Sequence, residues 1–271
     1  MFKKKIKKKA IIVLTVVIIL TLTAVSPLGS YGLSLGAMKI YSASEAENSY
    51  MNEKGIHIDM PSANGWYPFV MTFNADSEFR RFTSGDAEHL TIMYNFPGFD
   101  LKKGCSRIYD DESPYYSSFY GAYCVDGNFG FGESGELDEK MAGMVPEYDY
   151  TKLVLRDLGL PEDKQVFDWK VNETEEDVYA AGIGGWQTVD AELTVNGLLH
   201  EKKDYLRNYV QYGIPKYESD TDFAPIRMKG KVYGKYFAEK DVSIYFYVIA
   251  ANEKIIAQFD SEILKNSKIS Q

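Results

Sequence analysis

Two cysteines and three histidines are all that this 271-residue chain offers by way of thiol and imidazole chemistry. His57, His89 and His200 stand far apart, with no H-x-x-H or H-E-x-x-H spacing. A zinc site needs three or four convergent ligands, so no metal is expected. The nucleophile signature G-x-S-x-G is also missing. Base is scarce: 30 Lys and Arg face 39 Asp and Glu, a formal net charge of −9. Seven of the basic residues and only one acid fall within the first 46 positions, so the remainder is more acidic still. That field repels nucleic acid and anionic bilayers, and no basic stripe interrupts it. No linker rich in Pro, Gly or Ser divides the chain, and no internal repeat is visible.

The chain opens on six lysines within nine residues, followed by an uncharged run from Ala10 to Val25 (AIIVLTVVIILTLTAV). A basic head before an apolar stretch of this length is read as an export signal or a signal anchor. It directs the remainder of the chain out of the cytoplasm, to be secreted or held at the membrane by this segment alone. Proline at position 27 is expected to end the helix. Small residues suited to cleavage recur at Ser34-Leu35-Gly36, Ser42-Ala43-Ser44 and Ser44-Glu45-Ala46. Cleavage is expected between Gly36 and Ala46, with an uncleaved anchor as the alternative. Residues 1–43 are accordingly assigned to signal and leader, with order beginning near Gly55, and residues 44–271 to a single extracytoplasmic domain.

Aromatics make up 14% of the chain, with 21 tyrosines, and favour strands. Segments rich in aromatic and β-branched residues, alternating at 56–61 and 186–195, predict strands at 56–61, 66–73, 89–96, 165–171, 186–195, 228–237 and 242–250, with a return strand at 255–259. Asn196-Gly197 predicts a hairpin turn. Helices are predicted near 136–144 (ending before Pro146), over 150–158 with Gly159 as its stop, and over 260–268. The sum is an α+β fold: an antiparallel sheet of many strands with two or three helices packed on it. The closing segment VSIYFYVIAANEKIIAQFDSEILKNSK (Val242 to Lys268) resembles the end of PsbP-like domains, and GIHIDMPSANGW (Gly55 to Trp66) resembles their first strand. The resemblance covers these two stretches. It implies a central antiparallel sheet flanked by helices and a non-catalytic accessory role, and it assigns no site residue.

Candidate chemistry is sparse. Cys105 and Cys124 fall opposite each other if 106–109 and 118–125 are the arms of a hairpin, and a bridge there would contribute about 3 kcal/mol; the alternative is two buried thiols. Gly130 to Gly135 matches G-x-G-x-x-G, but Glu133 and Glu136 would crowd a pyrophosphate, so no cofactor is expected. Asp110-Asp111-Glu112 is the densest acidic cluster beside aromatics, and paired carboxylates hydrolyse glycosides. Glu173 to Asp177 and Glu218 to Asp222 are expected to be acidic loops. Trp66, Tyr67, Tyr115, Tyr116 and Tyr120 are the candidate binding residues, because aromatic faces beside hydroxyls stack on sugars or grip a partner. The sequence therefore points first to an exported, non-catalytic binding or accessory protein of a bacterial surface, its ligand a surface protein or wall polysaccharide. An extracellular hydrolase and a purely structural surface protein are the alternatives.

Overall fold

The computed structural model describes residues 2–25, 27–62, 69–73, 78–84, 87–95, 98–100, 105–156, 158–198, 203–204, 214–215 and 223–270. Helices α1 (Phe2–Val25), α2 (Pro27–Glu47) and α3 (Tyr50–Glu53) precede strands β1 (His57–Asp59) and β2 (Phe69–Phe73). Helix α4 (Glu78–Phe82) leads to β3 (Leu90–Asn95), the short pair β4 (Phe99–Asp100) and β5 (Cys105–Ser106), and β6 (Phe119–Asp126). Helix α5 (Glu139–Glu147) runs on into π turns at Tyr148–Leu155. Long strands β7 (Phe167–Ala180) and β8 (Ile183–Asn196) come next, then the short β9 (Lys203–Asp204) and β10 (Ile214–Pro215). Strands β11 (Pro225–Phe237) and β12 (Val242–Ala250), helix α6 (Glu253–Gln258) with its π extension Phe259–Ile263, and β13 (Lys268–Ser270) complete the chain.

The fold is α+β. Its centre is a seven-stranded antiparallel sheet in the order β2-β3-β6-β12-β11-β8-β7. Strand β12 is buried at all nine positions, VSIYFYVIA. Apolar residues on both faces require both faces to be covered. One face packs Tyr123, Tyr247, Val232 and Leu193 beneath α4, α5 and the π turns. The other packs Cys124, Phe246, Tyr233 and Trp186 beneath α3, β1 and α6 with its extension.

Several local expectations are revised. The apolar helix does end ahead of Pro27, at Val25, but helical structure resumes at once: Pro27 is the first residue of α2, where its missing N–H would have no partner in any case. The boundary drawn at 43/44 falls inside α2, and order does not wait for Gly55. Met38 and Ser42 are buried, and Tyr41 stacks on Phe69 at 6.0 Å. The 106–109/118–125 hairpin does not form. Arg107–Tyr109 is a 3-10 turn, and β6 pairs with β3 and β12 instead. Pro146 lies within α5, and the helix widens into π turns immediately afterwards. The two-residue hairpin turn is Ala181-Gly182, joining β7 to β8 with φ of 48° and 82°. Asn196 instead pairs with Pro225 and is a buried junction. Its side chain accepts the N–H of Val166 at 2.6 Å and donates to the carbonyl of Phe223 at 3.0 Å, while its own carbonyl accepts the hydroxyl of Tyr150. Residues 255–259 are helical rather than a return strand, because Asn252 caps a helix by accepting the N–H of Lys254. The closing segment is thus strand–helix–strand, ending in β13 paired with β1. Among the described residues, no helix is long and apolar enough to cross a membrane.

Helix α5 reaches the sheet through Gly143. A Cβ there would sit 2.8 Å from Cγ and Cδ1 of Trp169, and one at Gly230 would sit 2.8 Å from Cζ3, in the six-membered ring of the same indole. Two glycines thus make room for the one indole. Gly143→Val should therefore destabilise the domain by about 1–3 kcal/mol through overpacking, read as a lower melting temperature. An unchanged melting temperature would show that α5 does not bear on Trp169.

Candidate functional site

Three strands, β7, β8 and β11, extend the sheet past the edge of α6. Their side chains alternate between faces, as pleating requires. One set, Trp169, Val171, Leu193, Met228 and Val232, joins the core under α5. The other set is polar and forms cross-strand rungs. Asp168, Thr194 and Arg227 align as one rung. Lys170, Glu192 and Lys229 align as the next, and Glu173, Asp190 and Lys231 as the third. Acid and base face each other across the β8–β11 pairs Glu192↔Lys229 and Asp190↔Lys231, the arrangement that stabilises antiparallel neighbours.

Helix α6 and its extension border these rungs. Lys229 Nζ lies 2.7 Å from Glu253, and Lys231 Nζ lies 3.6 Å from both Asp190 and Asp260. Tyr233 donates its hydroxyl to Asp260 at 2.9 Å, and Lys231 sits 5.2 Å above the Tyr233 ring. Burial raises the Asp190 carboxyl above its usual range, and Lys231 partly offsets it. Two adjoining hollows result. One of about 410 Å³ is lined by Asp168, Lys170, Glu192 and Arg227 among others, and one of about 400 Å³ by Asn172, Glu173, Asp190 and Asp260; Lys229 and Glu253 border both. The face is open, shallow and of mixed charge, suited to grip a polar partner rather than to enclose a small apolar one.

A second polar centre is closed. Asp149, the second residue of the π turns, is buried and accepts the hydroxyl of Tyr123 at 2.5 Å and that of Tyr247 on its other oxygen. The two tyrosine rings meet edge to face at 5.7 Å. Burial pushes the Asp149 carboxyl up to about 7, with the two hydroxyl bonds pulling the other way. No atom of Tyr123 or Tyr247 reaches solvent, so this centre ties α5 to β6 and β12.

The expected binding residues do not form one exposed face. Tyr120 is buried on β6, 5.8 Å from Phe259, because its face of the sheet is covered by the α6 extension. Tyr115 and Tyr116 are half-buried; Tyr115 donates to Gln258 at 3.3 Å, and the Tyr116 hydroxyl abuts Gly197. Trp66 and Tyr67 lie outside the described residues. Cys124 is a buried free thiol, pushed up to about 12 by burial, while the side chain of Cys105 lies outside the described residues. The Asp110 carboxylate is buried and accepts the N–H of Glu112 at 3.2 Å, an Asx turn that shapes the loop. The 130–135 loop leads to α5, whose N-terminus is capped by Asp138 accepting the N–H of Met141. His89 stacks on Tyr50 at 4.7 Å, and His200 lies outside the described residues, as does 218–222. Among the described residues, no group of three or more His, Cys, Asp or Glu is placed to hold a metal ion. Glu173 to Asp177 belong to edge strand β7, not to a loop. The rung residues were missed as a site, although the alternation over 186–195 and 228–237 carried their signal. No family model, curated protein or solved structure matches this chain.

The Asp149 centre has a pH signature. The folded-state carboxyl titrates near 7 against 3.8 ordinarily. Stability from this group is fully present below about pH 4 and is lost as pH rises through about 7, a loss of about 4 kcal/mol. Asp149→Asn, which cannot ionise, should flatten the melting-temperature profile between about pH 4 and 7. An unaltered slope in the variant would exclude Asp149 as its source.

Proposed function

We propose that the chain is an exported accessory protein, tethered at the outer face of a membrane by its N-terminal segment, that docks a protein partner on the open face of β7, β8 and β11. The observation that carries the docking role is the ladder of mixed charge left uncovered where α6 stops. Opposed charges in fixed register favour one arrangement of a complementary surface and penalise others. Of the charged groups on this face, Asp168, Glu173, Asp190, Glu192, Glu253 and Asp260 outnumber Lys170, Arg227, Lys229 and Lys231, which favours a partner with an excess of base.

The address rests on α1. Every residue from Ile11 to Leu22 is exposed, so over this stretch of α1 a mostly apolar surface runs all the way round, a pattern suited to lipid rather than water. The lysines ahead of it suit the cytoplasmic side.

Partner capture on intact producing cells tests the docking role. Cross-linking with the native chain should yield a defined protein adduct. The double variant Asp168→Lys, Glu192→Lys should lose that adduct at least tenfold, while Glu162→Lys, on the 3-10 turn ahead of β7, should keep it. Equal adduct yield from both variants, with melting temperatures unchanged, would contradict the reading; retention on purified wall polysaccharide without a protein adduct would support the sugar ligand in its place.

A further inference from the structure

Strand β2 is one edge of the sheet and pairs only with β3 among the described strands. Alternate N–H groups of an edge strand point away from the sheet and need partners. Those of Val70 and Thr72 find them on α2. Val70 donates its N–H to Ser42 Oγ at 2.9 Å, in a buried bond. Thr72 donates its N–H to Glu45 Oε2 at 3.0 Å, and its hydroxyl to the same oxygen. Ser42 and Glu45, three apart, share one face of the helix, as helical spacing dictates. Met38, one turn before Ser42, is buried in the main core, and Tyr41 stacks on Phe69. Past Glu47 the chain continues without a break into α3, which Ser49 caps by accepting the N–H of Asn52 at 3.1 Å.

The segment from Met38 to Glu47 thus substitutes for an eighth strand, with side-chain oxygens in place of carbonyls. We infer that this segment is retained in the mature protein, so that any hydrolytic removal of the N-terminal helix falls before Met38. Of the three small-residue triplets, Ser34-Leu35-Gly36 is compatible with this. Cutting after Ser42-Ala43-Ser44 or Ser44-Glu45-Ala46 removes Met38 and Ser42 and, in the second case, Glu45 too. That would bare the N–H groups of β2 and open the core at Phe69. The membrane address proposed above is a separate matter: the edge contacts hold whether or not α1 enters a bilayer.

Two measurements on the full chain test the inference. The first maps the N-terminus by intact mass after expression in an exporting bacterium. A start at or before Met38 is expected; a folded product starting at Lys39 or later would overturn it. The second compares Ser42→Ala/Glu45→Ala with Ser42→Ala/Glu45→Gln. The first pair should lower the melting temperature by several degrees, and the glutamine, whose amide oxygen still accepts from Thr72, should recover part of the loss. No loss in the alanine pair would overturn the inference, whatever fractionation shows about the membrane.

Discussion

Nine consecutive buried residues on β12 require cover on both faces of the sheet, and the rest of the architecture answers that demand. The π turns after α5 supply one side through Tyr148 and Val154. The helix after β12 itself doubles back to supply the other through Ile255, Phe259 and Ile263. Because the side-chain period along a strand is two, a slip of one residue between β12 and β6 would exchange Tyr123 with Cys124 and separate Tyr123 from Asp149. The buried carboxylate held by two tyrosines on adjacent strands pins that register.

The two edges of the sheet are managed differently. At β2 the outward N–H groups are taken by Ser42 and Glu45, so the edge is closed by the same chain. At β7, among the described residues, no strand or helix covers the row. The strand carries acidic side chains and register shifts between Val171 and Glu173, between Glu175 and Val178, and again before Ala180. Bulges and charge discourage indiscriminate pairing with other strands. The open face beside β7 can therefore remain exposed without inviting aggregation, a condition that any docking surface on it must meet.

The strands were legible in the sequence because their pattern is local: 186–195 and 228–237 alternate, and 242–250 is a continuous apolar run. What escaped was set by distant partners. Asn196-Gly197 carries strong turn chemistry, yet Val166, Lys164 and Phe223 recruit Asn196 into a buried junction. Ala181 takes a positive φ that alanine disfavours, so the true hairpin turn gave no signal. Ile255 to Phe259 suits a strand by composition, but the Asn252 cap and the apolar spacing of Ile255, Phe259 and Ile263 select the helix. Small, polar residues made Met38 to Glu47 look like a leader, although Ser42 and Glu45 are the groups an uncovered edge needs. The candidate aromatics misled for a related reason: large rings mark a binding face and a core alike, and Tyr120 is core.

Amide hydrogen exchange, resolved by residue at constant pH, reads the order of the sheet and the state of its two edges. Exchange should be slowest across β6, β12 and β11, clearly protected at Val70 and Thr72 by the α2 contacts, and fastest among the strands along Glu173 to Asp177 of β7. Protection of β7 equal to that of β12, together with loop-like exchange at Val70 and Thr72, would contradict this arrangement.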